Sequence, residues 1–390
     1  MRNFKKGGLL TVMNPFIYGE EVEGDNFCNR VQEIKELVSE IESFQNILIY
    51  SPRRYGKTSL MNEVFKILKR KGFLTFYIDL YPVVCEDDFI RISLKSISRV
   101  IGGSGKNILN RLKEYIKKIP SALSLTISED GTPSLGVNLS KTEILPAVED
   151  LFNGLYTYVE GKKKPALVVF DEFQQLGELE NNRVEKILRS IIQKQRRLSY
   201  VFMGSKKHLI YDMFNNPNRP FYKSTRHFPL KTIEKSVFSR FIHRKFIKSG
   251  IQVEKEVPDK IVDATESHPY YAQMLAHMVW ELGREKKYVS AEHVRIGIKK
   301  ILEQEEAAFS NLWDSLTLKQ RRLLLALCLK KEEKKIFSVD FIEKYNLGSG
   351  STVQRGIDSL INKSIIDKED DRYLINDIFL KLWLKTRMNP

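Results

Sequence analysis

The sequence predicts an α/β fold in which helices cover both faces of a parallel sheet, followed by a helical region and a small third unit. Strands buried on both faces read as continuous apolar runs, and the chain contains several of them. These runs span residues 47–50, 73–80, 165–170 and 198–205. Apolar residues at helical spacing separate the runs. Because 390 residues exceed one ordinary core, we expect two or three domains.

The first apolar run, 47–50, leads into a short basic loop and then into Gly56-Lys57-Thr58 at the start of a helix. This is the layout of a phosphate-binding P-loop, because the backbone N–H groups and dipole of a helix N-terminus favour an anion. Gly56 lets the backbone approach the phosphates. Lys57 reaches the β- and γ-phosphates of ATP, and the Thr58 hydroxyl can ligate Mg²⁺. Ser51 stands where the usual pattern has glycine.

The whole loop is predicted to bind the nucleotide. Its residues are Ser51, Pro52, Arg53, Arg54, Tyr55, Gly56, Lys57, Thr58 and Ser59. Three roles stay open for Arg53 and Arg54: contact with phosphate, contact with a neighbouring subunit, or simple solvation, which is the usual state of exposed arginines.

The third apolar run, 165–170, ends in Asp171-Glu172, as a Walker B strand does. Asp171 would hold Mg²⁺ through water beside Thr58, and Glu172 would orient or deprotonate the attacking water. The alternative is a buried strand with an acidic end, an interpretation that the P-loop makes much weaker. The fourth run ends at Ser205, which could contact the γ-phosphate. The predicted catalytic residues are therefore Lys57, Asp171, Glu172 and Ser205.

The pattern of predicted helices, strands and turns divides the chain into four parts. These are a flexible arm (1–13), a core (14–230) that contains a hairpin insertion (121–140) around Asp130-Gly131, a helical lid (231–312) and a C-terminal unit (313–390). Three helices and a hairpin make the last unit a winged helix. Its presumptive recognition helix carries only Arg355 and Lys363 against Asp358, so protein contacts or autoinhibition fit as well as the reading of duplex DNA.

The formal net charge of +15 is concentrated in one segment. Residues 183–250 contain 17 Lys and Arg against 3 Asp and Glu, an excess of 14. A basic face of this kind attracts nucleic acid, an acidic partner or anionic lipid. The alternative is a solvated surface together with the arginines of a nucleotide site, and both interpretations stay open.

The composition is that of a globular protein, with 42% hydrophobic residues. The longest apolar run, 323–329, is too short to span a bilayer, so no membrane insertion is expected, and residues 1–12 lack the apolar core of a signal peptide. Cys28, Cys85 and Cys328 are far apart and odd in number. They indicate reduced thiols in the cytoplasm, without zinc spacing or a disulfide framework.

With these pieces placed, the chain resembles the archaeal and bacterial ATPase family of the STAND class, within the AAA+-like P-loop NTPases, over about residues 14–386. Besides the Walker A and B segments, the markers are Met13-Asn14-Pro15-Phe16, the box from Phe27 to Ile34, Met203-Gly204-Ser205, and the segment from Asn376 to Leu384. The resemblance implies a P-loop NTPase with a parallel-sheet core, a helical lid domain and a C-terminal winged-helix domain.

The resemblance also implies roles for individual residues. Asn29, Arg30 and Pro269 should line the adenine pocket, with Ser267 in place of the family's glycine, and Ser205 matches sensor 1. The candidates for an arginine or lysine finger are Lys206, Arg219 and Arg226.

The expected function is that of an ATP-binding P-loop ATPase acting as a slow conformational switch. It would hydrolyse ATP with Mg²⁺ and couple this reaction to repositioning of the winged helix. The alternative is a DNA-binding regulator or initiator-like AAA+ protein, since the chain is more distantly similar to origin-recognition initiator ATPases. The basic 183–250 face and the winged helix would then contact DNA. A protein partner and the oligomeric state stay open.

Overall fold

The computed structural model describes residues 13–28, 30–102, 123–127, 133–137, 142–329, 336–369 and 372–388. The contacts divide the chain into two compact units. The sheet unit comprises Arg30–Arg53 and Lys57–Leu230, and the helical unit comprises Met1–Asn29, Arg54–Gly56 and Lys231–Pro390. All but the last residue of the predicted arm lies outside the described residues, as does the Asp130-Gly131 turn.

The sheet unit alternates strands with helices. Its strands are β1 (Ile47–Tyr50), β2 (Leu74–Asp79), β3 (Leu123–Ile127), β4 (Pro133–Val137), β5 (Ala166–Asp171), β6 (Leu198–Gly204) and β7 (Arg226–Pro229). Its α-helices in the described ranges are α1 (Val31–Glu42), α2 (Lys57–Arg70), α3 (Glu86–Gly102), α4 (Ile144–Lys162), α5 (Arg183–Ile192) and α6 (Lys207–Asn215).

The main sheet has the strand order β2-β5-β6-β1-β7, and each neighbouring pair is parallel. This confirms the predicted fold class. Every residue of β5 and β6 is buried, as their unbroken apolar runs require, whereas the edge strands β2 and β7 are buried only at some positions. Because all five strands run the same way, their carboxyl ends meet at one edge of the sheet.

An aromatic cluster holds this edge together. The rings of Phe170 and Phe202 lie 5.8 Å apart, and Phe173 packs edge-on against Phe202 at 4.6 Å and against Phe221 at 5.3 Å. Each of these side chains is at most 1% exposed, and burial of one such ring contributes about 1.5–3 kcal/mol. The chain segments that follow β5 and β6 are therefore firmly placed.

The predicted hairpin is present beside the main sheet. β3 and β4 pair antiparallel, with Leu123 opposite Val137 and Leu125 opposite Leu135. The Asp-Gly signal thus predicted the pairing of two strands that flank residues outside the described ranges.

The helical unit contains both the predicted lid and the predicted winged helix. Its helices in the described ranges are α7 (Lys235–Lys248), α8 (Val257–Ala264), α9 (Pro269–Gly283), α10 (Ala291–Asp314), α11 (Leu318–Leu329), α12 (Val339–Lys344), α13 (Gly350–Asn362) and α14 (Ile378–Met388). Short strands pair as β8 (Gln252–Val253) with β9 (Tyr288–Val289), and β10 (Ile366–Glu369) with β11 (Arg372–Ile375). The order α11, α12, α13 and a hairpin is that of a winged helix.

One hydrophobic cluster extends through the whole helical unit, from Phe16 to Leu384, and includes the buried Trp280 and Trp383. The predicted boundary between the lid and the winged helix, at residue 312, does not divide this cluster, because buried residues on both sides of it belong to the same core. The boundary stays a prediction. None of the helices in the described ranges combines the length and apolarity needed to cross a bilayer.

Candidate active site

The P-loop connects the end of β1 to the start of α2 in the sheet unit. Ser51 is only 2% exposed, and the loop turns into the helix through Gly56, whose φ of 82° lies in the left-handed region that favours glycine. Lys57 is the first residue of α2. The first N–H groups of this helix lack partners within it, so the loop is built to receive an anion, as predicted.

The side chain of Lys57 folds back over its own loop. Its ammonium nitrogen lies 3.4 Å from the Ser51 carbonyl oxygen, 3.5 Å from the Ser51 hydroxyl and 3.5 Å from the Pro52 carbonyl oxygen. These distances are long for charge-assisted hydrogen bonds. Burial lowers the pKa of Lys57, and the charges of Glu172 and Asp171 oppose that shift. A buried ammonium group held this weakly can transfer its hydrogen bonds to a phosphate.

Asp171, the last residue of β5, is 6% exposed and receives several hydrogen bonds. Its Oδ2 accepts from the Thr58 hydroxyl at 3.2 Å and from the Tyr77 hydroxyl at 2.6 Å, and its Oδ1 accepts from the Glu172 backbone N–H at 2.9 Å. Burial raises the pKa of Asp171, and the Tyr77 hydrogen bond and Lys57 act against this rise. The structure therefore brings the two predicted Mg²⁺ ligands together.

The donor atoms of Thr58 and Asp171 fit Mg²⁺, which takes hard oxygen ligands. A cation there would also offset the burial that raises the pKa of the Asp171 carboxyl. Within the described ranges, no group of three or more His, Cys, Asp or Glu side chains could hold a metal by itself. A site with one carboxylate suits a Mg²⁺ ion that is also bound by substrate phosphates and water.

Glu172 lies beside Ser205 at the same edge of the sheet. It has a left-handed backbone with φ of 52°, and its Oε2 accepts hydrogen bonds from the Ser205 hydroxyl at 2.8 Å and from the Gln174 amide. Ser205 thus contacts the predicted base, a partner that the sequence analysis did not assign to it. Asp171, Glu172 and Ser205 thus form a polar cluster linked by hydrogen bonds, and the charges of its two carboxylates act on the Lys57 ammonium.

Sequence reasoning missed two members of this cluster, Tyr77 and Gln174. In the structure Gln174 is only 1% exposed. In the sequence, Tyr77 carries a hydroxyl within a largely apolar run, and only Phe173 separates Gln174 from the acidic pair. Those are the signals that could have indicated them. Neither signal names a partner, because the Tyr77 contact depends on how β2 and β5 pair and the Gln174 contact depends on the turn that follows β5.

The predicted adenine-pocket residues that the structure describes belong to different units. Asn29 lies outside the described residues. Arg30, in the sheet unit, is 3% exposed and forms an ion pair of 3.0 Å with Glu33. Pro269 is the first residue of α9 in the helical unit. Their role toward adenine stays a prediction.

The remaining loop residues differ in exposure. Arg53 is exposed and Ser59 is buried. Arg54 and Tyr55 belong to the helical unit, where the Arg54 guanidinium lies 4.2 Å from the Tyr270 ring centroid and the Tyr55 ring lies 4.5 Å from the His268 ring. Arg54 is exposed and lies over this ring, and the three roles left open for it stay predictions.

Each finger candidate contacts a carboxylate of the sheet unit. The contacts are Lys206 with Glu178 at 2.8 Å, Arg219 with Glu185 at 2.8 Å, and Arg226 with Glu36 and Glu40. Arg219 also donates to the side chain of Asn182 at 2.8 Å. The choice among the three candidates stays a prediction.

The basic segment 183–250 is divided between the two units, and acids elsewhere in the chain offset part of its charge. Besides the three finger candidates, further cations of the segment form ion pairs with described residues, among them Arg183 with Glu86, Arg197 with Glu160, Lys235 with Asp263, and Lys248 with Asp25. The excess counted along the sequence therefore overstates the uncompensated charge on the surface.

Comparisons with known proteins agree with this geometry. A family model described as "ATPase domain predominantly from Archaea" matches residues 27–275. A second, described as "Probable winged helix domain", matches residues 307–386. Together they cover the P-loop, the acidic pair of β5 and the hairpin formed by β10 and β11.

Two uncharacterized ATP-binding proteins of Methanocaldococcus jannaschii are similar in sequence. One is 26% identical over 172 residues, covering 40% of this chain and 44% of the relative. The other is 27% identical over 210 residues, covering 48% and 54%. The chain thus spans about half the length of these curated relatives. In fold it is similar to a Walker-type ATPase of Pyrococcus abyssi, with a TM-score of 0.62, 17% identity, and coverage of 95% of this chain and 99% of that one.

Proposed function

Since the chain belongs to the family of ATPase domains found predominantly in Archaea and is an ATP-binding P-loop protein, we propose that it hydrolyses ATP with Mg²⁺ as a nucleotide-dependent conformational switch. The observation that carries this proposal is the polar cluster at the carboxyl edge of the sheet. There the Asp171 carboxylate accepts from the Thr58 hydroxyl and from the Glu172 backbone N–H. The charges of the Asp171 and Glu172 carboxylates act on the Lys57 ammonium and oppose the effect of burial on its pKa.

The proposed chemistry assigns one task to each side chain. Lys57 would leave the loop carbonyls and bind the β- and γ-phosphates. Glu172 would accept a proton from water as the water oxygen bonds to the γ-phosphorus and the bond to the bridging oxygen breaks. Thr58 and Asp171 would hold Mg²⁺, which when bound neutralises charge on the phosphate oxygens. Ser205 would keep Glu172 in place through its 2.8 Å hydrogen bond.

The contacts within the helical unit support a specific form of the switch. Lys381 and Arg387 of α14 form ion pairs with Glu266 at 2.7 Å and with Glu306 at 2.6 Å, and the Trp383 indole also donates to Glu306. These bonds, together with the shared hydrophobic cluster, tie the winged helix to the lid helices. We therefore propose that the winged helix moves together with α7–α10, and not as a separate body.

The role of Glu172 is tested with Glu172→Gln, which keeps the size of the side chain and removes its charge. ATP affinity should stay within about twofold, whereas phosphate release should fall about 100-fold or more, because the base is lost. Nucleotide titration and a phosphate-release assay measure the two effects. Glu149→Gln, an exposed site on α4, is the matched control. Undiminished turnover of Glu172→Gln would refute the assignment.

A second candidate function is ATP-controlled DNA binding, which the winged-helix match over residues 307–386 favours. The modest charge of α13 and the ion pairs of the basic segment count against a strong electrostatic contribution. Duplex binding measured at several salt concentrations decides between the two functions, because phosphate contacts are strongest at low salt. Absence of binding at low salt in both nucleotide states would eliminate this candidate.

A further inference from the structure

The orientation of Glu172 depends on the strand next to it. β5 and β6 pair in parallel, with Phe170 opposite Phe202. β6 ends at Gly204, and the hydroxyl of the next residue, Ser205, donates to the carboxylate of Glu172 at 2.8 Å.

Gln174 reaches the same carboxylate from the short 3-10 helix Phe173–Glu178, which follows β5. Its side chain is 1% exposed, and the amide donates to Oε2 of Glu172. The preceding Phe173 is anchored among the rings of Phe202 and Phe221. The amide of Gln174 is therefore held in place by its burial and by the packing of the residue before it.

Gly204 makes room for this amide. A Cβ atom built on Gly204 would overlap the side-chain oxygen of Gln174 and Cδ1 of Ile210. The backbone of Gly204 does not need a left-handed conformation, so the requirement for glycine here is one of space. A larger residue would require the side chains of Gln174 and Ile210 to shift, and we expect this to displace the amide from Glu172.

We propose that Gln174, accommodated by Gly204, is a positioning residue for the catalytic base. Gln174 and Ser205 both donate to Oε2 of Glu172, which fixes the plane of the carboxylate. Among the described residues, Oε1 has no such donor and is the oxygen available to the attacking water. The inference rests on the proposed function and goes beyond it by naming the groups that orient the base.

The kinetic test uses Gln174→Leu, which removes the amide and keeps the side chain large and unbranched at Cβ. We expect kcat to fall about 10- to 100-fold, by analogy with residues that orient a metal ligand through a hydrogen bond, with KM and nucleotide Kd within about twofold. Gln175→Leu, a half-buried neighbour, is the matched control. In a Glu172→Gln background, Gln174→Leu should have no further effect on the rate, because the base that it positions is gone.

A second measurement is independent of turnover. In nucleotide-free protein, thermal unfolding of Glu172→Ala, Gln174→Ala and the double variant forms a cycle. The shift in Tm of the double variant should be clearly smaller than the sum of the single shifts, because either substitution breaks the same hydrogen bond. Gly204→Ala should reproduce the kinetic defect of Gln174→Leu, but Gln174→Leu is the primary variant because an alanine at 204 also meets Ile210.

The outcomes separate the inference from the function on which it rests. Additive Tm shifts, or a wild-type kcat in Gln174→Leu, would overturn the positioning role while leaving ATP hydrolysis intact. A wild-type protein that binds ATP and releases no phosphate would instead overturn the proposed function. A reduced kcat that disappears in the Glu172→Gln background, together with non-additive Tm shifts, supports the inference.

Discussion

Lys57 in the P-loop and Lys245 in α7 are both buried, with exposures of 7% and 4%, yet their surroundings differ. The ammonium of Lys245 donates to the Pro15 carbonyl and to the side-chain oxygen of Asn26 at 2.7 Å. Among the described residues, the hydrogen-bond partners of the Lys57 ammonium are oxygens of its own loop, at 3.4 to 3.5 Å. Burial lowers the pKa of both lysines, to about 8 for Lys245.

The difference shows how a functional buried charge can be told from a structural one. A buried charge is unfavourable unless it is paired and hydrogen-bonded. The hydrogen bonds of Lys245 already tie the segment around Pro15 to α7, so they stabilise the fold and offset part of the cost of burying the charge. The charge of Lys57 has weak internal partners and two carboxylates nearby, so a phosphate can improve its surroundings. Burial combined with weak partners, and not burial alone, indicates the ligand site.

The largest effect that this comparison predicts is the loss of ATP binding in Lys57→Met. Two charge-assisted hydrogen bonds to phosphate at about 2 kcal/mol each correspond to a loss of about 1,000-fold in affinity. The nucleotide-free protein should change in stability by less than about 1 kcal/mol, because the bonds that are lost are long. Isothermal titration and denaturant unfolding measure these quantities.

Lys69→Met, at the exposed end of α2, is the control for that experiment. The comparison fails if Lys57→Met destabilises the fold as much as it weakens binding. In that case Lys57 would be a structural lysine like Lys245.

Arg219 extends the comparison to a cation with a buried acidic partner. Its guanidinium contacts Glu185, which is 0% exposed and whose pKa burial raises to about 7, against the opposing charge of Arg219. Arg219→Met should reduce the free energy of unfolding by about 3 kcal/mol, because it leaves a buried acid without its cation. Denaturant unfolding of the double variant Arg219→Met/Glu185→Leu should recover most of this loss.

The same pair of variants tests the finger assignment. If Arg219 serves only the fold, the double variant should hydrolyse ATP at nearly the wild-type rate. A double variant that is stable but inactive would identify Arg219 as the finger.

Lys245→Met should show the opposite profile to Lys57→Met. It leaves the Pro15 carbonyl and the Asn26 side chain without their donor and should reduce the free energy of unfolding by about 2 kcal/mol, with unchanged ATP affinity. Lys248→Met, an exposed site on the same helix, is the control.

Lys245 should also make the free energy of unfolding depend on pH, and Lys245→Met should remove this dependence. Its folded-state pKa of about 8 lies below the ordinary 10.5, so between these values the unfolded chain binds more protons. The contribution of Lys245 to stability therefore rises with pH from about 8 to 10.5. Unfolding of both proteins across this range isolates the effect. A constant difference between them would contradict it.

The P-loop, the acidic end of β5 and the parallel sheet could be predicted because each is a local pattern. Apolar runs, a glycine before Lys-Thr and an acidic pair after a strand need no knowledge of distant residues. Tyr77 and Gln174 could not be assigned in this way. Tyr77 meets Asp171, 94 residues away, only because β2 pairs with β5, and Gln174 reaches Glu172 only because Gly204 leaves space.

The charge count along the sequence was the pattern that predicted least about the structure. The excess over 183–250 is real along the chain, but carboxylates from other elements meet several of its cations. Arg226, for example, contacts Glu36 and Glu40 of α1, which precede it by more than 180 residues. A count along the sequence cannot include such pairings, because tertiary structure decides which opposite charges become neighbours.

Tyr77→Phe should have the smallest effect, and it tests whether the ligand site depends on more than Lys57. The Tyr77 hydroxyl donates to Oδ2 of Asp171 at 2.6 Å, the same oxygen that accepts from Thr58. Without this donor, Asp171 keeps the Thr58 and backbone bonds but loses its most closely bound partner.

We expect Mg²⁺ affinity in the presence of nucleotide to fall about 10-fold, because residues that orient a metal ligand typically contribute this much. Nucleotide affinity measured without Mg²⁺ should not change, since Lys57 is untouched. Titration of Mg²⁺ against bound nucleotide, with exposed Tyr81→Phe as the control, measures both quantities. An equal loss with and without Mg²⁺ would mean that Tyr77 supports the loop and not the metal site.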